Sequence, residues 1–349
     1  MKVALCHHYS ITFHGGGERF LIDVANQLIK AGHEAVIYAL PLARRPINLD
    51  TSLKGVEYHE SLIHHIQDAD VAYFIYAPLL HNFFLGNFPR IGALHAFVFL
   101  EELQHNEVRT MSHVNFLREF GFSRFLSNLY FERFDKRKLR GFDAVHVINK
   151  EAQALVNRKE RVYYVPNWVD TTRFKPVGEK GMKFSVLFVG RRTKGFSTFV
   201  EIASLLSKDG IDFLAIGPDL ESTRNVKNLG LITDIKELIE LYSKVHVLVY
   251  TSKTDVFPLT LLEAAACKIP IVSMPTRAIQ GLSLPLFYAT SVEEFAQAIL
   301  YLQNIWQTKR EGYDKLGEAM RAEAANYDLS TVFPKFLDML KEVALFSAC

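Results

Sequence analysis

Three cations stand between two glycines in Gly190-Arg191-Arg192-Thr193-Lys194-Gly195, directly after an apolar run from Phe184 to Val189. Arginine grips two oxygens of a diphosphate at once and lysine acts as a point charge, so this set suits a diphosphate ligand. The spacing is not that of a Walker A loop, and a solvated basic turn has the same composition. Further on comes Asp255-Val256-Phe257-Pro258-Leu259-Thr260-Leu261-Leu262-Glu263. Proline suits the first turn of a helix, so unpaired amides are expected near Pro258 to Thr260, with Asp255 just before them. Glu263 falls one turn in, among Leu261, Leu262 and Ala264 to Ala266. A carboxylate there either lies on an exposed face or is buried and hydrogen-bonded, and both readings stand. Gly15-Gly16-Gly17-Glu18-Arg19 is the third loop of interest. Its glycines admit close approach of a ligand to the backbone, and a helix start behind them favours an anion. A flexible turn before a capped helix fits the same residues.

The elements that must position these loops follow from hydrophobic period. Lys2 to Cys6 is a short apolar run, and Glu18 to Ala31 places Phe20, Leu21, Val24, Ala25, Leu28 and Ile29 on one helical face. Gly32 ends that helix and Ala35 to Leu40 reads as a second strand, which makes a βαβ unit with a parallel crossover. Further strands are expected at Val71 to Tyr76, Ile91 to Phe99, Ala144 to Ile148 and Val162 to Val165. Pro166 and Asn167 break the pattern, and Phe174 to Met182, with Pro176, Gly178 and Gly181, is the expected hinge. A second series begins after it. Strands are expected at Phe184 to Val189, Phe213 to Ile216, Val245 to Tyr250 and Ile271 to Ser273. Helices are expected at Phe196 to Lys208, Ile235 to Lys244 and Pro258 to Cys267, with a helical tail from Val292. Two successive βα series imply an α/β chain of two doubly wound, Rossmann-like domains. In that class the loops after the strands carry the ligands.

The bulk numbers agree with this division. At 349 residues the chain exceeds what one core usually organises. The formal charge of +2 gives no global attraction to nucleic acid, so no nucleic-acid partner is expected. Cys6, Cys267 and Cys349 form neither a disulfide framework nor a zinc set, which fits a reducing compartment. The N-terminal apolar run is too short for a signal peptide and no stretch reaches the length of a spanning helix, so a cytoplasmic protein is expected.

Taken together, these stretches resemble the family-4 retaining glycosyltransferases of the GT-B fold, over nearly the whole chain. The resemblance rests on Gly15 to Arg19, on Val165-Pro166-Asn167-Trp168-Val169-Asp170-Thr171-Thr172-Arg173-Phe174, and on Val186 to Arg191 with Lys194-Gly195. It continues through Asp255 to Glu263 into Ala264-Ala265-Ala266-Cys267-Lys268-Ile269-Pro270-Ile271-Val272. The resemblance implies two Rossmann-like domains facing across a cleft. The first, residues 1–170, lies on the acceptor side, and a helix over 331–346 packs back on it. The second, 171–332, binds the nucleotide sugar. By the same resemblance Glu263 holds the ribose hydroxyls, Asp255 contacts the donor sugar, and Arg191 and Lys194 neutralise the leaving diphosphate. The amides of Leu259 and Thr260, after Phe257 and Pro258, bind its phosphates. Gly16, within Gly15 to Gly17, lets the diphosphate approach, and His95 stands near sugar and acceptor. A lone histidine after an apolar strand is also a common structural residue. Three features depart from the family pattern. Asp255 stands where the family has a glutamate, Arg191 and Lys194 are closer in sequence, and Thr276 to Leu286 replaces a Gly-Gly segment.

The expected reaction moves a sugar from a nucleoside diphosphate sugar to an acceptor hydroxyl, with retention at the anomeric carbon. Cations and a helix start do the electrostatic work, so no metal or other cofactor is expected. A sugar-nucleotide epimerase of the same fold class and a non-catalytic nucleotide-sugar-binding subunit are the alternatives. The acceptor is left open, with a lipid-linked one in view because of residues 116–142. There Arg118, Arg124, Arg133, Lys136, Arg137, Lys138 and Arg140 interleave with eight aromatics, against only Glu119, Glu132 and Asp135. That mixture suits a peripheral contact with an anionic membrane face. It equally suits a helix whose rings fill a core and whose cations meet water.

Overall fold

The computed structural model describes residues 1–13, 15–42, 53, 55–75, 80–95, 112–120, 139–156 and 161–345. Fifteen strands run in chain order: β1 (Lys2–His7), β2 (Glu34–Ala39), β3 (Glu57–Glu60), β4 (His64–His65), β5 (Val71–Ile75), β6 (Phe84–Leu85), β7 (Arg90–Leu94), β8 (Ala144–Val147), β9 (Val162–Tyr164), β10 (Ser185–Val189), β11 (Asp212–Ile216), β12 (Lys227–Asn228), β13 (Val247–Tyr250), β14 (Ile271–Ser273) and β15 (Phe287–Tyr288). The chain divides between Pro166 and Asn167, ahead of Phe174 to Met182, and again between Thr331 and Val332, and the described helix His113–Phe120 groups with the second unit rather than with the expected first domain 1–170. The basic, aromatic stretch at 116–142 lies largely outside the described residues. Its described beginning belongs to the helix His113–Phe120.

In the first unit one sheet has the order β3-β2-β1-β5-β7-β8-β9, parallel throughout. Val71 to Ile75 are all buried, as they must be in a parallel strand covered on both faces. The helix Gly16–Lys30 turns Phe20, Leu21, Val24, Ala25 and Leu28 into this core. The last helix, Leu329–Leu345, supplies Phe336, which is fully buried. Its ring lies 5.1 Å from that of Tyr73 and 6.0 Å from that of Phe20.

The second unit repeats the plan, with the order β12-β11-β10-β13-β14-β15, again parallel. Val186, Phe188, Val247, Val249 and Val272 form one core with Phe196, Phe199, Ile202, Phe295 and Ile299. The intervening Leu187, Leu248 and Ile271 are equally buried, so helices cover both faces. Local chemistry fixes several helix starts. Asp234 caps Ile235–Lys244 by accepting from the Lys236 amide, and Ser291 caps Val292–Thr308 by accepting from the Glu294 amide. In both sheets the strand order runs outward from the first strand in one direction and then in the other. The switch points lie between β1 and β5 and between β10 and β13, and there the loops after the strands diverge.

The seating of the last helix is open to test. Phe336→Ala removes a ring packed against Phe20, Tyr73 and His146 and should cost about 3–5 kcal/mol, read as a lower denaturation midpoint. An unchanged midpoint would mean that this helix adds nothing to the first core.

Candidate functional site

At the switch point of the second unit, the loop after β10 is held by backbone to the end of β11 and by a side-chain hydrogen bond to the residue just past β13. The Gly190 amide donates to Ile216 O at 3.0 Å, and a Cβ on Gly217 would lie 1.8 Å from Gly190 O, so only glycine fits there. Arg191 is extended, Arg192–Lys194 makes a single tight turn, and Gly195 follows with a left-handed φ of 84°. Thr251, just past β13, donates its hydroxyl to Gly195 O at 2.8 Å. This contact leaves a Cβ on Gly195 no room, since it would lie 2.5 Å from Thr251 O. The turn therefore carries Lys194 across to Asp255, and the two side chains form an ion pair. Both are about one-fifth exposed, at 22% and 20%, so water and an incoming anion can reach them.

Pro258 occupies the N-cap of the helix Leu259–Ala266, one residue earlier than the first-turn position expected. Pro258 makes no side-chain cap bond, and the Leu259 and Thr260 amides lie in the first turn, where no intrahelical acceptor serves them. At the far end Arg321 donates to Ala266 O and, at 3.0 Å each, to Phe174 O and Thr171 O. A cation there complements the helix dipole. Glu263 is buried, at 4% exposed, and accepts a hydrogen bond from the Tyr242 hydroxyl at 3.1 Å. That settles the two readings of this carboxylate: it is an interior, hydrogen-bonded group. Phe257 is buried against Tyr327 at 5.6 Å, and its carbonyl accepts from Asn167 Nδ2 at 3.3 Å. Asn167 Oδ1 is buried with no hydrogen-bond partner among the described residues. Tyr242 and Asn167 went unassigned in the sequence. Asn167 sits in the quoted Val-Pro-Asn stretch, whereas Tyr242 carries no signal beyond its place on an apolar helix face.

In the first unit the glycine loop is already occupied by its own chain. Glu18 accepts from the Gly15 amide at 2.6 Å, the glutamate half of a capping box, and its other oxygen meets His7 Nε2 at 3.0 Å. Burial would raise the Glu18 carboxyl, but the charge and hydrogen bond of His7 and the Gly15 amide outweigh it and hold it below the usual range. A Cβ on Gly17 would stand 3.2 Å from His7 Nε2, while one on Gly16 would meet nothing. The open part of the loop is thus Gly16, not Gly15. His95 follows β7 and packs on Phe20 of the helix Gly16–Lys30 at 4.8 Å between ring centroids. It hydrogen-bonds to the Tyr73 hydroxyl at 3.0 Å, and Tyr73 in turn contacts His146 Nδ1 at 2.7 Å. The structure thus joins Lys194 to Asp255 directly and sets Phe257, Pro258, Leu259, Thr260 and Glu263 at one helix start. Arg191 lies in the facing loop. Gly15 to Gly17 and His95 belong to the other unit.

Two parallel sheets, each with a ligand-type loop at its switch point, define the GT-B class of glycosyltransferase folds. Residues 183–304, within the second unit, match the family Glycosyl transferases group 1. A solved structure of Anabaena HepE, in complex with UDP and glucose, matches 98% of this chain and 100% of that one. The TM-score is 0.70 and the sequence identity 16%. Among curated proteins, alpha-galactosylglucosyldiacylglycerol synthase of Streptococcus pneumoniae is 25% identical over 174 residues, 42% of this chain and 46% of that protein. A probable sucrose-phosphate synthase of Thermosipho melanesiensis is 27% identical over 186 residues, 46% of this chain and 42% of that one. The matches therefore span less than half the length of either relative.

The buried histidines give a pH dependence of stability. Burial lowers His146 from 6.5 to about 4, and burial with the charges of Lys180 and Arg310 lowers His246 to about 3. Both are therefore neutral in the fold, while the unfolded chain binds protons below about pH 6.5. The unfolded state then holds the extra protons, so stability is full above about pH 6.5 and falls as pH drops towards 4. Replacing His146 removes one titrating site from this window. His146→Asn should lose up to about 1.4 kcal/mol per pH unit less than the parent between pH 6 and 4.5, by denaturant titration. Equal slopes would contradict a neutral, buried His146.

Proposed function

We propose that the protein is a metal-independent, retaining glycosyltransferase that moves a sugar from a nucleoside diphosphate sugar to an acceptor hydroxyl. The observation that carries this reading is the Lys194–Asp255 pair beside the uncapped start of Leu259–Ala266, with a buried carboxylate at Glu263. Leu259, Thr260, Arg191 and Lys194 take the diphosphate, Glu263 the ribose hydroxyls, and Asp255 the donor sugar. Gly16 and His95, in the first unit, take their diphosphate and sugar roles from the family resemblance alone. In the reaction the anomeric bond to the diphosphate breaks and its electron pair leaves with the phosphate oxygen. The acceptor oxygen bonds the anomeric carbon on the same face, and its proton passes to the departing diphosphate. The difficult event is the charge left on that group, which two cations and a helix start stabilise without a divalent ion. HepE was solved with UDP and glucose, which makes a UDP-sugar the first donor to test.

Without nucleotide, Asp255 is the counterion of Lys194, and a diphosphate must replace it there. Titration calorimetry with UDP should show Arg191→Ala, Lys194→Ala and Glu263→Gln each weakened about ten- to a hundredfold. Asp255→Asn, which removes the carboxylate that competes for Lys194, should bind UDP at least as well as the parent while turnover falls. Chelator should leave turnover intact. Unchanged UDP affinity in all three weakened variants, or a strict need for magnesium or manganese, would overturn the reading. Product formed from donor without acceptor would point to an epimerase.

For the acceptor, the reading extends to a lipid-linked molecule reached through residues 116–142. Its support is the local excess of cations among aromatics and the glycolipid named in the pneumococcal relative. The protein should sediment with anionic vesicles at low salt and be released at high salt, and Lys136, Arg137 and Lys138 replaced together by glutamate should abolish it. No sedimentation at low salt would leave a water-soluble acceptor.

A further inference from the structure

Tyr73, His95 and His146 form a hydrogen-bond chain whose direction is fixed at one end by a group that can only accept. His146 Nε2 stands 2.7 Å from the backbone carbonyl of Val165. A carbonyl has no proton to give, so the His146 proton is on Nε2 and its Nδ1 is a bare lone pair. The Tyr73 hydroxyl lies 2.7 Å from that Nδ1 and must donate to it. A phenol has one proton. Having spent it on His146, Tyr73 can only accept from its second neighbour, His95 Nε2, at 3.0 Å. His95 therefore carries its proton on Nε2, and Nδ1 is left as an acceptor.

The surroundings keep this order. Tyr73 and His146 are buried at 0% and 1% exposed, and Phe336 packs on both, with ring centroids 5.1 and 5.8 Å away. Phe20 covers His95. No group among the described residues hydrogen-bonds to His95 Nδ1. Burial, with His146 and His7 nearby, holds His95 well below its ordinary value and keeps the ring neutral.

We propose that Tyr73 and His146 are positioning residues that lock His95 in the Nε2–H tautomer, so that Nδ1 receives a hydrogen bond from a substrate hydroxyl. The substrate part of this proposal rests on His95 serving the sugar site proposed above; the lock itself does not. A bare Nδ1 selects for an O–H donor at that position and against a carbonyl, a phosphate oxygen or a fluorine. The lock matters because the opposite tautomer would present an N–H there and remove the acceptor.

Long-range proton–nitrogen NMR of 15N-histidine-labelled protein at pH 7.5 reads the tautomer directly, with His95→Gln assigning the signals. In the parent protein His95 should show a protonated Nε2 and a bare Nδ1. Tyr73→Phe should turn this single form into a mixture. His146→Asn, whose side-chain oxygen reaches the place of Nδ1, should preserve it. In a UDP-sugar transfer assay Tyr73→Phe should lower kcat about tenfold and leave the donor KM within about twofold, with His146→Asn restoring most of the rate. A parent His95 protonated on Nδ1, or an unchanged tautomer in Tyr73→Phe, would overturn the lock even if the protein transfers sugar. A locked His95 that Tyr73→Phe unlocks, in a protein that transfers nothing, would instead sink the transferase reading and leave the lock standing.

Discussion

The helix Leu259–Ala266 is buried along most of its length, and a buried helix must account for the amides at its start and the carbonyls at its end. The carbonyl end is accounted for within the chain. The amides of Cys267, Lys268 and Ile269 return to Glu263 O, Ala265 O and Ala264 O, and Arg321 takes Ala266 O. The amide end lacks a cap from its own N-cap residue, because the ring of Pro258 carries no acceptor. This asymmetry organises everything around it. The helix's N-cap residue offers no side-chain bond, Asp255 pairs with Lys194, and Glu263 accepts from the buried Tyr242.

The first unit has the same strand plan and reaches the opposite result. Its helix after β1 also begins in a glycine loop, but Glu18 turns back on the Gly15 amide and is held in place by His7. A carboxylate of its own chain thus serves the helix start that an external anion would otherwise take. Two topologically equivalent switch points are therefore built differently. The second presents an uncapped helix and two cations. The first presents a short stretch of open backbone at Gly16 and a histidine whose polar partners are internal.

How much of this was legible in the sequence depends on the distance over which each contact acts. The strands were legible because a parallel strand covered on both faces must be apolar throughout, as Val71 to Ile75 and Val247 to Tyr250 are. The start of Leu259–Ala266 was legible from Pro258, and the ligand-type loops from their glycines and cations. The partners were not. Lys194 and Asp255 are 61 positions apart, Tyr242 and Glu263 21, and Tyr73 and His146 73, and no local period reports such separations. Glu263 shows the limit well. Among leucines and alanines its charge suited an exposed stripe or an interior bond equally, and only the position of Tyr242 decides between them. Glu18 was different: its spacing from Gly15 is that of a capping box, but a glycine has no side chain to complete the usual sequence signature.

Charge arithmetic explains why the site can stay folded without a ligand. Two cations beside a positive helix end repel one another, and such a group needs an anion at all times. Asp255 supplies it in the free protein through Lys194, at a depth where the pair is still one-fifth exposed. On the proposed reading, a diphosphate arriving there would swap one carboxylate for another anion rather than create a new buried charge. An aspartate suits this role. Its single methylene leaves it a short reach from the backbone, and Thr251 fixes that backbone to the turn carrying Lys194. A pair fully sealed from water would hold Lys194 too firmly for an anion to replace Asp255, and a fully exposed pair would be screened to little effect. The partial burial of Lys194 and Asp255 lies between those limits, where a counterion is both effective and exchangeable.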